Sequence, residues 1–410
     1  MIHSTQLTLA TYFSIHFKSL SNMETAINKT IRKRLFEGDP VIWTVVFALS
    51  LISVLVVYSA SGTLAFRKLG GDTEYYLIKH AILVFAGLGS MWICSKIDYK
   101  YYSRLSRFGL LLSVPLLLFT WKYGTTLNDA SRWLTIPYIN HTFQPSDLAK
   151  LSLIASVASM LAKRQQSIQE FQRAVMPILL WCGIICALIG LSSFSEAVLL
   201  FATCMLIMFI GRVPIQYLGS LIIVGVLAVT VALIAGQRLE TVKGRMRYYL
   251  SDTEVPFQAE QSYIAIATGG FLGKGPGNSD QRNFLPHPYS DFIFAIIVEE
   301  YGLIGAIIVI GLYLTLLYRG MLVVATSERA FGGLLSAGLS FSLVIHALVN
   351  MCVAVGLTPI TGLTLPLVSM GGNSLLFTGI TIGIIISISR GEEAPIGKNN
   401  KTRKQVKKAF

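Results

Sequence analysis

A chain of 410 residues that is 53% hydrophobic and only 13% charged, with a mean hydropathy of +0.62, is not a soluble domain, where roughly a quarter of residues carry charge. The net charge of +13 would suggest nucleic acid in a soluble protein. Here the cations gather in tails and short loops, where the positive-inside rule explains them, and no nucleic-acid partner is implied.

Residues 1–40 form a polar N-terminal tail, basic towards its end at Lys29, Arg32, Lys33 and Arg34. No cleavable signal pattern stands out, and Met23 offers an alternative start. From residue 41 to 390 the chain reads as one all-α polytopic membrane domain. Ten apolar segments have the length a bilayer needs, about 17–25 residues with interfacial ends. They lie near 41–59, 77–95, 107–121, 147–162, 174–191, 194–210, 214–236, 291–318, 332–356 and 369–389. The basic loops after the second, fourth, sixth and eighth segments (Lys96, Arg104, Arg107, Lys163, Arg164, Arg212, Arg319 and Arg329) then fall on one side, the cytoplasm. Both termini join them there, and 391–410 is a short basic tail expected to be disordered.

The other face carries two long loops, 121–147 and 237–290, the larger between the seventh and eighth segments, and a short one around 358–369. Long loops in a compact protein are commonly functional. The larger holds Arg238, Lys243, Arg245 and Arg247, either a solvated mixed-charge surface or cations for a phosphorylated headgroup. Cys94, Cys182, Cys186, Cys204 and Cys352 lie in or beside apolar runs, form no disulfide framework and include no CxxC pair to suggest zinc.

Three polar clusters fall on that face. In the first, residues 128–150, Arg132 offers a planar fork suited to phosphate beside the interfacial Trp133. Gln144-Pro145-Ser146-Asp147 resembles a helix start, with Ser146 or Asp147 near the cap, and Asp147 can pair with Lys150 on one face. The second joins a glycine-rich loop, whose amides can close around an anion, to an apolar run with Asp291 at the seam. A carboxylate there is expensive unless it meets water, a partner or a substrate, so Asp291 reads as a helix cap or a general base. Glu299 and Glu300 lie two turns further on, where one can pair with a basic residue of another span; His287 is a weaker base candidate. In the third, residues 358–377, Pro359 and Pro366 interrupt helix and Ser369, Gly371, Gly372, Asn373 and Ser374 restart it, its amide end favouring a bound anion. Each cluster has a plain structural alternative: a cap and ion pair, a cap, or small-residue packing. Three on one face suggest a cavity for an anionic, membrane-anchored molecule.

At these residues the chain resembles the SEDS family of peptidoglycan polymerases, FtsW, RodA and SpoVE. SRWL, FQPSDLAK, GKGPGNSDQRNFLPHPYSDFIFAIIVEEYGLIG and PITGLTLPLVSMGGNS occur in family order across 38–390. The GNS-x-Q-R-x-x-LP form and TGLTLP resemble the FtsW branch more than the RodA branch. The resemblance implies ten transmembrane helices and a septal glycosyltransferase that joins lipid II molecules at the outer face of the bacterial cytoplasmic membrane. It implies Asp291 as the essential acid, inversion at the MurNAc anomeric carbon, and undecaprenyl diphosphate as leaving group. Arg132, Lys150 and Lys274 are the candidate cations for that diphosphate, and Mg or Mn the candidate ion, with no ligand cluster to prove one. The expected substrate-binding set is Arg132, Trp133, Gln144, Ser146, Asp147, Lys150, Gln261, Lys274, Asn278, Ser279, Gln281, Pro286, Ser369, Gly371, Gly372, Asn373 and Ser374. Lipid II, the nascent glycan strand, membrane lipid, a class B penicillin-binding protein and other divisome membrane proteins are the implied partners.

Three departures stand out. Asp147 occupies a position where the family usually has Glu, SSFSEAV replaces an acidic EPD-like stretch and leaves only Glu196, and Asn373 stands where GGSS is more usual. The alternatives are a lipid II flippase or other transporter, a RodA-like elongation polymerase, and an inactive scaffold that recruits a transpeptidase. Against transport, the polar groups collect at one face rather than at midplane and no internal repeat is visible.

Overall fold

The computed structural model describes residues 36–69, 73–127, 130–136, 141–235, 239–250 and 255–393. The expectations for the two tails, and for Arg238, lie outside these residues. A helix occupies each of the ten apolar segments: α1 Pro40–Leu69, α2 Thr73–Lys96, α3 Tyr102–Tyr123, α4 Pro145–Lys163, α5 Met176–Gly190, α6 Phe194–Ile210, α7 Ile215–Ala235, and, after the large loop, α10 Ile293–Thr326, α11 Ala330–Ala354 and α12 Gly372–Glu393. Among the described residues seven stretches are long and apolar enough to cross a membrane, in α1, α2, α3, α10, α11, α12 and Phe171–Gly190. This makes the chain a multi-pass membrane protein. Phe194–Ile210 and Ile215–Leu227 are shorter apolar helices. Helix α4 is not among the seven; it carries Ser146, Asp147, Ser152, Ser156 and Ser159 in its buried surface.

Among the described residues the fold departs from the all-α expectation at one place. Thr125–Leu127 (β1), Ala130–Ile136 (β2) and His141–Phe143 (β3) form a three-stranded antiparallel sheet in the order β1-β2-β3. Along β2, Leu134 and Ile136 alternate with Trp133 and Thr135, and Leu134 pairs with Phe143 of β3. The large loop is not open coil either, for it folds into α8 Leu239–Leu250 and α9 Phe257–Gly269. Arg245 of α8 is engaged at home, donating to the carbonyls of Ile360 at 3.0 Å and Thr361 at 3.4 Å.

The interior is built from helices that are apolar or small on every side. Residues Phe292 to Val298 are buried without a break, which makes the first half of α10 a core helix. Helix α2 packs closely on α12 through small residues. A Cβ at Gly379 would lie 2.1 Å from the Gly87 carbonyl, and one at Gly383 2.5 Å from that of Met91. Polar contacts bring the start of α4 to the start of α6, and the start of α10 to the α11–α12 connection. Ion pairs gather at the start of α1: Arg319 with Asp39 at 2.6 Å, and Glu37 with Arg390 at 3.2 Å and Lys96 at 3.5 Å.

Candidate active site

Helix α10 breaks at Gly302, which has φ 64° and ψ −163°. A break inside a buried helix frees backbone groups that need new partners. The preceding loop satisfies them. Lys274 N and Gly275 N donate to the Glu299 and Glu300 carbonyls, both at 2.9 Å, while Leu303 N donates to Gly270 O at 3.0 Å. Backbones can approach this closely only through glycine: a Cβ at Gly273 would sit 2.2 Å from Glu300 O, and one at Gly302 2.4 Å from Phe271 O.

The two glutamates beyond the apolar run are buried inside this knot. Glu299 Oε1 accepts from Lys274 Nζ at 2.7 Å and Asp280 N at 3.1 Å, and Oε2 accepts from Ser279 Oγ and from Gln281 N at 3.3 Å. Its cation therefore comes from the loop, not from another span as the sequence suggested. Lys274 also reaches Asp280 Oδ2 at 2.8 Å. Hydrogen bonds to Asp280 and then Glu299 push the Lys274 amine up from its ordinary value, and the same contact holds the Asp280 carboxyl down. Glu300 accepts from Ser59 Oγ of α1, and Arg282 Nη1 donates to Ser59 O and Oγ, both at 3.2 Å.

Asp291 stands just before α10, whose N-cap is Phe292 with no side-chain cap bond. The cap alternative is thus not adopted. One carboxylate oxygen accepts from Ser290 Oγ at 2.8 Å. The surrounding backbone is pinned on two sides. Asn350 Nδ2 of α11 donates to Asp291 O at 2.8 Å and Leu363 O at 2.6 Å. Ser369 Oγ donates to Ser290 O at 2.6 Å, and Met370 N to Tyr289 O at 2.9 Å. The second and third polar clusters therefore meet. Leu367, a non-glycine residue at φ 66°, marks backbone strain in this segment. The strained turn is held by Ser53 Oγ of α1, which donates to Val368 O at 2.8 Å. That donation uses the only Ser53 proton, so His80 Nε2 of α2, 2.7 Å away, is the donor to Ser53.

The first cluster forms a second centre. Helix α4 begins at Pro145 with Gln144 as N-cap and no side-chain cap bond, so neither Ser146 nor Asp147 caps it. Lys150 Nζ lies 2.8 Å from Asp147 Oδ1 and 3.3 Å from Glu196 Oε2. Glu196 also accepts from Gln144 Nε2 and Ser146 Oγ, both at 2.9 Å. Asp147 and Lys150 line a cavity of about 80 Å³ together with His346 of α11 and Ser374 and Thr378 of α12, above apolar walls from Leu151, Leu343 and Phe377. Asp291 is not in that lining. Helix α11 connects the two centres: His346 faces the cavity and Asn350, four residues further, holds Asp291. Four residues are about 6 Å of helix rise.

Of the other expected site residues, Trp133 is half-buried in β2, and the Arg132 side chain on the same strand lies outside what is described. Ser279 is buried on Glu299, Asn278 Nδ2 donates to Lys274 O at 3.1 Å, and Gln281 contributes its backbone amide. Pro286 is exposed and Gln261 half-exposed on α9, neither lining the cavity. Gly371 and Gly372 form the turn into α12, and Asn373 is buried there. Among the described residues no three or more His, Cys, Asp or Glu are grouped to hold a metal ion, and Asp147 and Glu196 both turn to Lys150.

The family model described as "Cell cycle protein", FtsW/RodA/SpoVE, matches residues 39–394, nearly all of the membrane domain. The chain belongs to this family. Among its FtsW/RodA/SpoVE relatives, the probable peptidoglycan glycosyltransferase FtsW of Geobacter sp. (strain M18) is 31% identical over 366 residues, covering 87% of this chain and 98% of that one. The FtsW of Trichlorobacter lovleyi is 33% identical over 375 residues, covering 90% and 98%. Two solved structures share the fold. One is a chain from a peptidoglycan synthase complex that coordinates polymerization and crosslinking, with a TM-score of 0.66, 24% identity and coverage of 87% and 99%. The other is the Thermus thermophilus rod shape determining protein RodA, with a TM-score of 0.65, 22% identity and coverage of 87% and 98%.

In this member of the FtsW/RodA/SpoVE family, Glu196, His346, Asn350 and Arg282 join the expected site residues through contacts that only the fold makes. His346 and Asn350 share a helix face at i and i+4, a signal present in the sequence but shared with any buried polar pair. Glu196 had no such signal, because its partners lie 46–52 residues away in the chain.

Proposed function

We propose that this chain is a peptidoglycan glycosyltransferase that polymerises lipid II, with Asp291 as general base. The carrying observation is the α11 bridge: one face of one helix joins the pinned Asp291 backbone to the cavity of Lys150, Asp147 and Ser374. The relatives' names, probable peptidoglycan glycosyltransferase, support the enzyme class.

In the reaction the 4-hydroxyl of an acceptor GlcNAc attacks the anomeric carbon of a donor MurNAc. The new C1–O4 bond forms as the C1–O bond to diphosphate breaks, the hydroxyl proton passes to the Asp291 carboxylate, and the electron pair leaves with undecaprenyl diphosphate. A single displacement inverts the anomeric centre. Lys150 and Arg132 are the cations assigned to the growing charge on the diphosphate. Lys274, paired with Glu299 and Asp280, does not line the cavity that Lys150 enters, and it serves to shape the loop. Mg or Mn is the candidate ion at the diphosphate, where it would neutralise charge; among the described residues no three His, Cys, Asp or Glu are grouped to hold it.

Ten membrane crossings, cytoplasmic termini and an outward site complete the reading, together with a septal role and a class B penicillin-binding protein as partner. The cation-rich end opposite the site supports the orientation. Purified protein given lipid II, with the partner transpeptidase where needed, forms glycan chains, and Asp291→Asn abolishes them while remaining folded. Translocation of lipid II in vesicles that persists in Asp291→Asn, without polymer in the wild type, would replace polymerisation with transport.

A further inference from the structure

The Lys150 centre brings two acids to one amine. Two buried carboxylates, Asp147 and Glu196, share one ammonium, at 2.8 and 3.3 Å. They are not equivalent. Glu196 uses both oxygens on protein donors: Gln144 Nε2 on Oε1, and Ser146 Oγ and Lys150 Nζ on Oε2. It is absent from the cavity lining and sits behind Lys150 on α6. Asp147 does line the cavity, and its Oδ2 is buried with no hydrogen-bond partner among the described residues. A buried carboxylate oxygen without a donor is costly, so its partner is expected from whatever fills the cavity. Ser374 and Thr378 on the facing wall of α12 add hydroxyls that can accept or donate.

We propose that Glu196 is a positioning residue. By taking Gln144, Ser146 and one Lys150 proton it locks the start of α4, fixes the ammonium, and leaves Asp147 Oδ2 open to accept a hydroxyl or amide N–H from a lipid-linked sugar. Without Glu196, Lys150 has one carboxylate within reach, and the open Asp147 oxygen rotates onto it. The pocket then closes on itself and loses its acceptor. This deepens the polymerase reading and rests on it for the identity of the ligand.

The test separates binding from turnover. Lipid II affinity is measured by intrinsic tryptophan fluorescence in full-length protein carrying Asp291→Asn, with and without Glu196→Gln, and KM and kcat are measured in the Asp291 protein. Glu196→Gln keeps the shape and removes the charge. The expected result is a Kd and KM raised about tenfold with kcat changed less than about threefold, the pattern of lost ground-state binding. Asp147→Asn raises Kd by a similar factor, and the double variant is no worse than either single one, because both act on one oxygen. Glu196→Asp, which keeps the charge at shorter reach, falls between, and replaces Glu196→Gln if that variant does not fold. Unchanged Kd and KM in folded Glu196→Gln overturn the proposal and leave Glu196 as a tether between α4 and α6. Lipid II that binds wild type, weakens with Glu196→Gln, yet yields no glycan upholds the positioning role and sinks the polymerase.

Discussion

Asn350 is the residue whose small size most understates its place. Its amide spans the Asp291 and Leu363 carbonyls at 2.8 and 2.6 Å, so it couples the acid to the α11–α12 connection. Asn350→Ala leaves two acceptors without a donor, about 1–3 kcal/mol each if they stay dry. The expected outcome is a folded protein whose polymerisation rate falls by about ten- to a hundredfold, read as glycan formed per minute from lipid II. Residue chemistry also explains the shortened acid at 147. Asp147 reaches Lys150 with one oxygen, and Glu196 completes the coordination from another helix. Lys274 and Asp280 illustrate the pH sign. Raised above its ordinary value, Lys274 contributes stability in full below that value and loses it as pH climbs through the higher folded one. Depressed below its ordinary value, Asp280 contributes above that value and fails only as pH falls through the lower folded one. Hydrogen-exchange protection of the loop amides 274–281, corrected for intrinsic rates, is therefore expected to stay flat from about pH 5 to about pH 10. Loss of protection within that window would show the clamp to be weaker than its geometry implies.

Helix α10 carries the logic at the scale of the element. Its first turns are buried core, its break at Gly302 hands two carbonyls to the loop, and the loop in return carries the lysine that neutralises Glu299 and the serine that donates to it. Gly302→Ala places a Cβ 2.4 Å from Phe271 O at a φ that side chains avoid. Strain and overpacking together cost about 2–5 kcal/mol. A fall in melting temperature in detergent, with lost activity, is expected; an unchanged melt would mean the loop moves aside freely. The α2–α12 contact follows the same small-residue rule, with Gly379 and Gly383 letting two backbones touch.

Over the whole molecule, polar chemistry is divided between two ends. The site end holds Asp291, the Lys150 centre and the Glu299 knot, and the far end ties α1, α10 and α12 through Arg319, Asp39 and Ser389. Arg319 Nε and Nη2 both reach Asp39 Oδ2 at 2.6 Å. Breaking that pair with Arg319→Ala is expected to cost about 1.5–3 kcal/mol of stability, as for other hydrogen bonds to charged groups. Turnover per folded molecule should not change, because no site residue touches the pair. The exchange Asp39→Arg with Arg319→Asp should recover part of the loss in thermal unfolding. A kcat that falls with Arg319→Ala at full folding would reveal coupling between the ends.

The amino-acid sequence by itself determined the membrane class, the location of the ten helical segments and the seam at Asp291, because length, hydropathy and helix breakers are local properties. It also exposed Asp147 and Lys150 as a pair, since three residues of helix bring them to one face. The sheet at β1–β3 and the helices inside the large loop were harder to see, because short amphipathic pieces look like loop until something packs on them. Tertiary structure alone decided the partners that lie far apart in the chain. Glu196 lies 46 residues from Lys150, Glu299 is 25 from Lys274, and Asn350 is 59 from Asp291. A buried charge takes whatever partner the packed helices and loops bring within about 3.5 Å, and no periodicity along the chain records that choice.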